Sequence, residues 1–237
     1  MIKTVLYIHY PKCGGISLIE SMKRALIGYT PVPYYIDDDP LCIENINSES
    51  IEQGRMLARE VMSKFNGKKL FVYGHCSPRS FVNEEIDYRF TMLRHPVDWF
   101  FSLYIYWSER SKLDKPAQLR KKDYQHIHKL YDWFLKEQPS LVDFVDHPKI
   151  RKCLSETFFG GYDINNLDFV GIQEQYSKSL QIIGKTIGVQ LIEQRKNVTT
   201  KKEEYSQALR TKKNIRMIED ALKEDIKLYE KMVNRFW

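Results

Sequence analysis

An ammonium, two glycines and a hydroxyl stand within six positions of one another, at Lys12, Gly14, Gly15 and Ser17. Glycines let backbone N–H groups approach a ligand with no Cβ in the way. A helix beginning just after them adds the positive end of its dipole. With Lys12, these groups suit an anion such as a phosphate or a sulfonate. The flanking residues define the elements that must position them. Thr4-Val5-Leu6-Tyr7-Ile8 is β-branched and aromatic and reads as a short strand. Pro11 ends it, having no N–H to give a ladder. From Ser17 onward, Leu18, Met22, Ala25 and Leu26 recur at helical spacing. The order is strand, Lys-bearing glycine loop, helix. It is not a Walker A loop, in which the Lys follows the glycines.

Two further stretches carry chemistry. Arg94 ends a predicted strand, Tyr88 to Leu93, and Ser102 lies in the predicted helix that opens at Pro96. Ligands of open α/β sheets sit at the carboxyl ends of strands. A guanidinium fork with a nearby hydroxyl is a receptor for a phosphate monoester. His75 follows the predicted strand Leu70–Tyr73 through Gly74, and its neutral form near pH 7 suits a base. His9, on the first strand before the loop, is read as an orienting or packing residue.

His9 to Leu18 resembles the H-I-P-K-T-G-G-T-S-L segment of the sulfotransferase superfamily, in particular the Golgi-type carbohydrate (heparan/chondroitin-like) sulfotransferases. Cys13 and Ile16 stand where that segment has Thr. Arg94 to Ser102 resembles the family's R-D-P-x-x-R-x-x-S segment, with His95 in place of Asp and Trp99 in place of Arg. Phe71 to His75 is similar to its strand-Gly-His element, and Asp168 to Tyr176 to its later V-G-x-x-E-x-F/Y segment. Arg195 to Val198 is similar to a stretch before a loop that closes over the nucleotide, where Lys201 and Lys202 could contribute.

The resemblance implies that residues 1–237 are a sulfotransferase domain. Its donor would be 3′-phosphoadenosine 5′-phosphosulfate (PAPS), and its product 3′-phosphoadenosine 5′-phosphate (PAP). By the same resemblance, Lys12, Cys13, Gly14, Gly15, Ile16 and Ser17 cradle the 5′-phosphosulfate and Arg94 and Ser102 hold the 3′-phosphate. Lys12 and His75 would be catalytic, Lys12 neutralising leaving-group charge and His75 deprotonating an acceptor hydroxyl on a carbohydrate. That scheme needs no metal. Two other readings stay open: a P-loop-type small-molecule kinase, and a non-catalytic anion- or polysaccharide-binding protein.

The remaining sequence bounds the class. At 237 residues with 43% hydrophobic residues, the chain can bury a large core and is not a disordered sequence. Its net charge of +6 suits an anionic ligand. The basic residues are dispersed without finger spacing or an RNA-binding signature, so no nucleic-acid partner is expected. Lys112, Lys115, Arg120, Lys121 and Lys122 form a basic loop suited to an acidic glycan. Cys13, Cys42, Cys76 and Cys153 make no C-x-x-C pair, which predicts free thiols in a reducing, cytoplasmic setting. His126 and His128, two apart on a predicted helix, diverge and make no metal pair. No secretory signal or membrane-length apolar run is present, so a soluble, bacterial-style member is expected, a trimmed catalytic domain being the alternative.

Tyr29 to Asn47, with three prolines and Asp37-Asp38-Asp39, reads as a surface excursion. Helices are predicted over 51–65, 124–136, 140–145, 150–159, 176–187, 203–209 and 212–236, and a further strand over 167–172. Alternation of short strands with helices gives an α/β class: a P-loop-like, doubly wound parallel sheet flanked by helices, one domain with helical additions.

Overall fold

The computed structural model describes residues 2–34, 48–113, 129–193 and 206–237. Its centre is a five-stranded parallel sheet made of β1 (Thr4–Ile8), β2 (Thr30–Pro33), β3 (Leu70–Gly74), β4 (Tyr88–Leu93) and β5 (Phe169–Ile172). The order across the sheet is β2-β3-β1-β4-β5. β1 and β3 are buried at every position, the pattern of strands covered on both faces, which explains their unbroken apolar sequences.

β1 lies in the middle, and the chain leaves it toward β2 on one side, while β4 leads to β5 on the other. The connections diverge between the carboxyl ends of β1 and β4, which makes that crevice the switch point of the sheet. Ile8 pairs with Thr91 there, and the Thr91 hydroxyl donates to the Ile8 carbonyl at 2.7 Å. Residues 9–14 leave from one strand and Arg94 from its neighbour.

Helix α1 (Gly15–Ala25) follows β1 and α2 (Ser48–Lys64) precedes β3, while α3 (Pro96–Leu113) follows β4. Four further helices are α4 (Lys129–Glu137), α5 (Leu141–Asp146), α6 (Pro148–Arg151) and α7 (Tyr176–Ile187). Two more, α8 (Lys212–Ala221) and α9 (Lys223–Phe236), close the chain. Ser140 closes a capping box with Asp143 at the start of α5, and Gly188, at φ 76°, ends α7.

Four expectations are corrected. Helix α1 begins at Gly15 rather than Ser17, because Gly14 at φ 78° already turns the backbone into the helix. Thr30–Pro33, expected in a surface excursion, is the edge strand β2. Bonds into the sheet come from the Thr30 N–H to Lys69 O and the Tyr34 N–H to Tyr73 O, and the prolines alternate with these donor positions, an arrangement available only at an edge. The helix expected over 150–159 is α6 followed by a separate π-helical segment, Cys153–Phe158. The terminal helix is interrupted at Leu222, which gives α8 and α9.

Residues 35–47 with the Asp run and Cys42, 114–128 with His126, His128 and most of the basic loop, and 194–205 with the Arg195–Lys202 stretch lie outside the described residues. Cys13, Cys76 and Cys153 are free and buried. Among the described residues, no helix is long and apolar enough to cross a membrane.

Candidate active site at the β1–β4 crevice

The loop after β1 is shaped by two left-handed residues, Lys12 at φ 64° and Gly14 at φ 78°. For a lysine this conformation is strained by roughly 1–2 kcal/mol, and such strain concentrates at functional sites. Gly15 is required for a different reason. A Cβ there would lie 1.9 Å from Nε2 of His9, so the loop and the His9 ring fit together only because Gly15 has no side chain. A Cβ on Gly14 would come within 3.2 Å of the Tyr176 ring.

The N-terminus of α1 is open. Gly14 at its cap position has no side chain to accept from it, its first turn holds no acidic residue, and Lys23 and Arg24 occupy its last turn. Within its own first turn, nothing compensates the amide donors and the dipole. Ser17 is partly buried in that turn. Cys13 and Ile16 cannot contribute side-chain donors. The Cys13 thiol is fully buried and points to the Pro11 carbonyl at 3.5 Å, and Ile16 is an exposed alkyl group, 60% accessible. Only their backbones can serve a ligand.

The loop is held from behind by α3. Trp99 donates its indole N–H to the Pro11 carbonyl at 3.0 Å and stacks on Tyr10 with centroids 5.4 Å apart. The residue standing where the family segment has an Arg is therefore a structural strut.

Arg94 leaves β4 at the other wall of the crevice. Its Nε is buried without a hydrogen-bond partner among the described residues, an uncommon state for a guanidinium. Burial pushes the Cys13 thiol pKa up, and the charges of Arg94, Glu174 and Lys12 all reach that thiol. Arg94 and the loop are thus neighbours. Ser102 is partly buried on α3. Glu174 accepts from the His95 N–H at 2.8 Å and from the Tyr229 hydroxyl at 3.3 Å, tying the start of α3 to α9. Asp98, in the first turn of α3, pairs with Arg210 at 2.6 Å.

His75 stands at the carboxyl end of β3, next to β1. Its Nδ1 lies 3.0 Å from the His9 carbonyl. A carbonyl only accepts, so Nδ1 carries the proton and Nε2 keeps its lone pair. Burial lowers its pKa to about 4, which keeps the ring neutral at pH 7. The His9 ring stacks on His75 at 4.1 Å and on Tyr7 at 5.4 Å, and the His9 N–H donates to Gly74 O at 2.9 Å. Burial also depresses the His9 pKa well below its ordinary value, and its Nδ1 is buried without a hydrogen-bond partner among the described residues. His9 thus links the glycine loop on one side to His75 on the other.

The structure brings Lys12, Gly14, Gly15, Ser17, Arg94 and His75 to one edge of the sheet, and Ser102 lies on α3, the helix that follows Arg94. Sequence reasoning did not single out Tyr106, over whose ring Lys12 Nζ lies 3.9 Å from the centroid, while Tyr176, the last residue of the Asp168–Tyr176 segment, proves to lie beside Gly14. A Tyr four residues after Ser102, on the same helical face, was the available signal for the first.

No family model and no curated protein matches the chain. The solved structures that match the chain include two sulfotransferases. A sulfotransferase from Alicyclobacillus acidocaldarius is 15% identical with a TM-score of 0.40, over 97% of this chain and 99% of its own. The mouse sulfotransferase SULT7A1 complexed with PAP is 17% identical with a TM-score of 0.37, over 87% of this chain. The chain spans 63% of the length of that mouse protein.

Proposed function

We propose that the protein is a PAPS-dependent sulfotransferase acting on a hydroxyl, with a saccharide as acceptor and His75 as base. The observation that carries this reading is the crevice between β1 and β4. It presents an open helix N-terminus and Lys12 on one wall and, on the other, a buried Arg94 Nε that no described residue satisfies. A nucleotide phosphorylated at both ends would give each group a partner. The saccharide rests on the resemblance of residues 9–18 to carbohydrate sulfotransferases.

When bound, PAPS supplies a sulfuryl group that passes to the acceptor oxygen as its bond to the 5′-phosphate breaks. Lys12 and the amides of residues 13–17 would hold the leaving phosphate and neutralise its growing charge. Arg94 and Ser102 would select the 3′-phosphate. His75 would take the acceptor proton on Nε2, while its Nδ1–H on the His9 carbonyl fixes the ring and the tautomer. As in phosphoryl transfer, most of the catalysis would be positioning and charge stabilisation. Loss of a positioned base costs roughly 10²–10⁴ in rate. His75→Ala should lose that much turnover with PAP binding retained, and full activity in this variant would remove His75 from the role.

Thermal unfolding with PAP, with ADP and with ATP plus Mg²⁺ tests the reading. At 100 times its Kd a ligand stabilises by about 2.7 kcal/mol, or roughly 5–10 °C here. Selective stabilisation by PAP supports the assignment, whereas equal or larger stabilisation by ATP plus Mg²⁺ replaces it with a kinase. A second reading, a non-catalytic anion-binding protein, draws on the buried Cys13 thiol and the exposed Ile16. PAP binding without sulfate transfer to any hydroxyl acceptor would select it.

A further inference from the structure

We propose that Tyr106 is a positioning residue that seats the Lys12 ammonium and acts on the transfer site through it. The inference rests on the assignment of Lys12 to that site. A lysine side chain has four freely turning bonds and about 2 kcal/mol of rotamer entropy, so an ammonium that must meet a developing charge needs a fixed seat. Two features supply one. The left-handed backbone at Lys12 (φ 64°) departs from ordinary lysine geometry, and the Tyr106 ring face receives Nζ at 3.9 Å from its centroid. The electron-rich face attracts the cation.

The ring is itself held. The Tyr106 hydroxyl accepts from Arg110 Nη1 at 3.2 Å, and the Arg110 guanidinium lies over Tyr131, 5.6 Å from its centroid. Tyr131 packs on Trp107 at 5.3 Å. Ser102, Tyr106 and Arg110 recur every fourth residue and so share one face of α3. The same face that carries Ser102 thus offers Tyr106 to Lys12.

The test compares Tyr106→Leu with Tyr106→Phe, which keeps the ring and loses only the bond from Arg110. Two readouts are used: the rate at which an amine-acylating reagent modifies Lys12, followed by peptide mass spectrometry, and kcat and KM for PAPS. Expected for Tyr106→Leu are several-fold faster acylation of Lys12 and a kcat about tenfold lower, with KM changed less than threefold, in line with a cation–π contact. Tyr106→Phe should match the wild type in both. Unchanged Lys12 acylation in Tyr106→Leu overturns the proposal, as does a Tyr106→Phe variant as impaired as Tyr106→Leu. Should Tyr106→Leu fail to fold, Tyr106→Gln, of similar length and with no ring face, is held to the same outcomes. The acylation arm requires no nucleotide. A wild type that neither binds PAP nor transfers sulfate would therefore defeat the functional reading alone, and Lys12 acylation would still decide the role of Tyr106.

Discussion

Two helix starts in this molecule meet opposite treatment. The π-helical segment Cys153–Phe158 begins against Asp225, which is 1% exposed. Asp225 accepts from the Leu154 N–H at 2.9 Å, the Ser155 N–H at 2.8 Å and the Ser155 hydroxyl at 2.5 Å. Helix α1 begins with no cap, no acidic residue in its first turn and a lysine beside it. The first start is completed from within by a carboxylate of α9. The second has donors of the same kind and no acidic residue in its own first turn. A positive helix end is stabilised by negative charge wherever that charge comes from. Under the proposed function, this contrast is what would leave the α1 end for a ligand.

Removing the internal anion should have the largest effect on stability. Asp225→Ala leaves buried donors unsatisfied and should cost about 3–4 kcal/mol in urea unfolding at pH 7. A loss under about 1 kcal/mol would erase the contrast.

The titration of each region gives the next effect. His75, lowered by burial from 6.5 to about 4, stays neutral in the fold while the unfolded chain takes up a proton. It therefore removes up to about 3 kcal/mol of stability as pH falls from 6.5 to 4. Asp225 is raised by burial from 3.8 to about 6, so the fold takes up its proton first and gains a comparable amount as pH falls from 6 to 3.8. His75→Gln should flatten the acid loss and Asp225→Asn should steepen it. Parallel changes in the two variants would contradict one of the two signs.

At the open end, Arg94→Ala should behave unlike Asp225→Ala. Stability without ligand should stay within about 0.5 kcal/mol, while the ~2.7 kcal/mol gained from PAP at 100 times the wild-type Kd should be lost. Destabilisation of the ligand-free protein by more than about 1 kcal/mol would make Arg94 structural. The smallest effect comes from closing α1 deliberately. Ile16→Asp places an acid in its first turn at an exposed position and should stabilise the ligand-free protein by about 0.3–1 kcal/mol. The same variant should bind PAP more weakly, and unchanged PAP affinity would show that the helix end is not used.

Much of this was legible because local sequence and tertiary role agree. β1 and β3 are near-continuous apolar runs, buried throughout, and the buried parallel sheet requires that pattern. Lys12, the two glycines, Arg94 and His75 could be assigned to one edge because each ends or follows a strand, and parallel strands bring such positions together. β2 was hidden by its prolines, which oppose strand pairing everywhere except at an edge. The π-helical segment was hidden because its partner Asp225 is 70 residues away in sequence from Ser155, beyond any local pattern. Cys13 illustrates a further limit. Its place in the motif was plain, but that its thiol turns inward to Pro11 depends on packing beneath the loop.

The two borders of the sheet bear on how the molecule coexists with its own copies. A bare border strand is a template on which another chain can extend the sheet. On the β2 side, Pro31 and Pro33 remove outward amide groups. On the β5 side, the Trp237 indole already donates to the Val170 carbonyl at 2.9 Å, with its ring against Phe169. Strand-to-strand self-association is thereby disfavoured at both borders by a handful of atoms. Trimming Trp237 should consequently expose the β5 border and lower the concentration at which the protein aggregates.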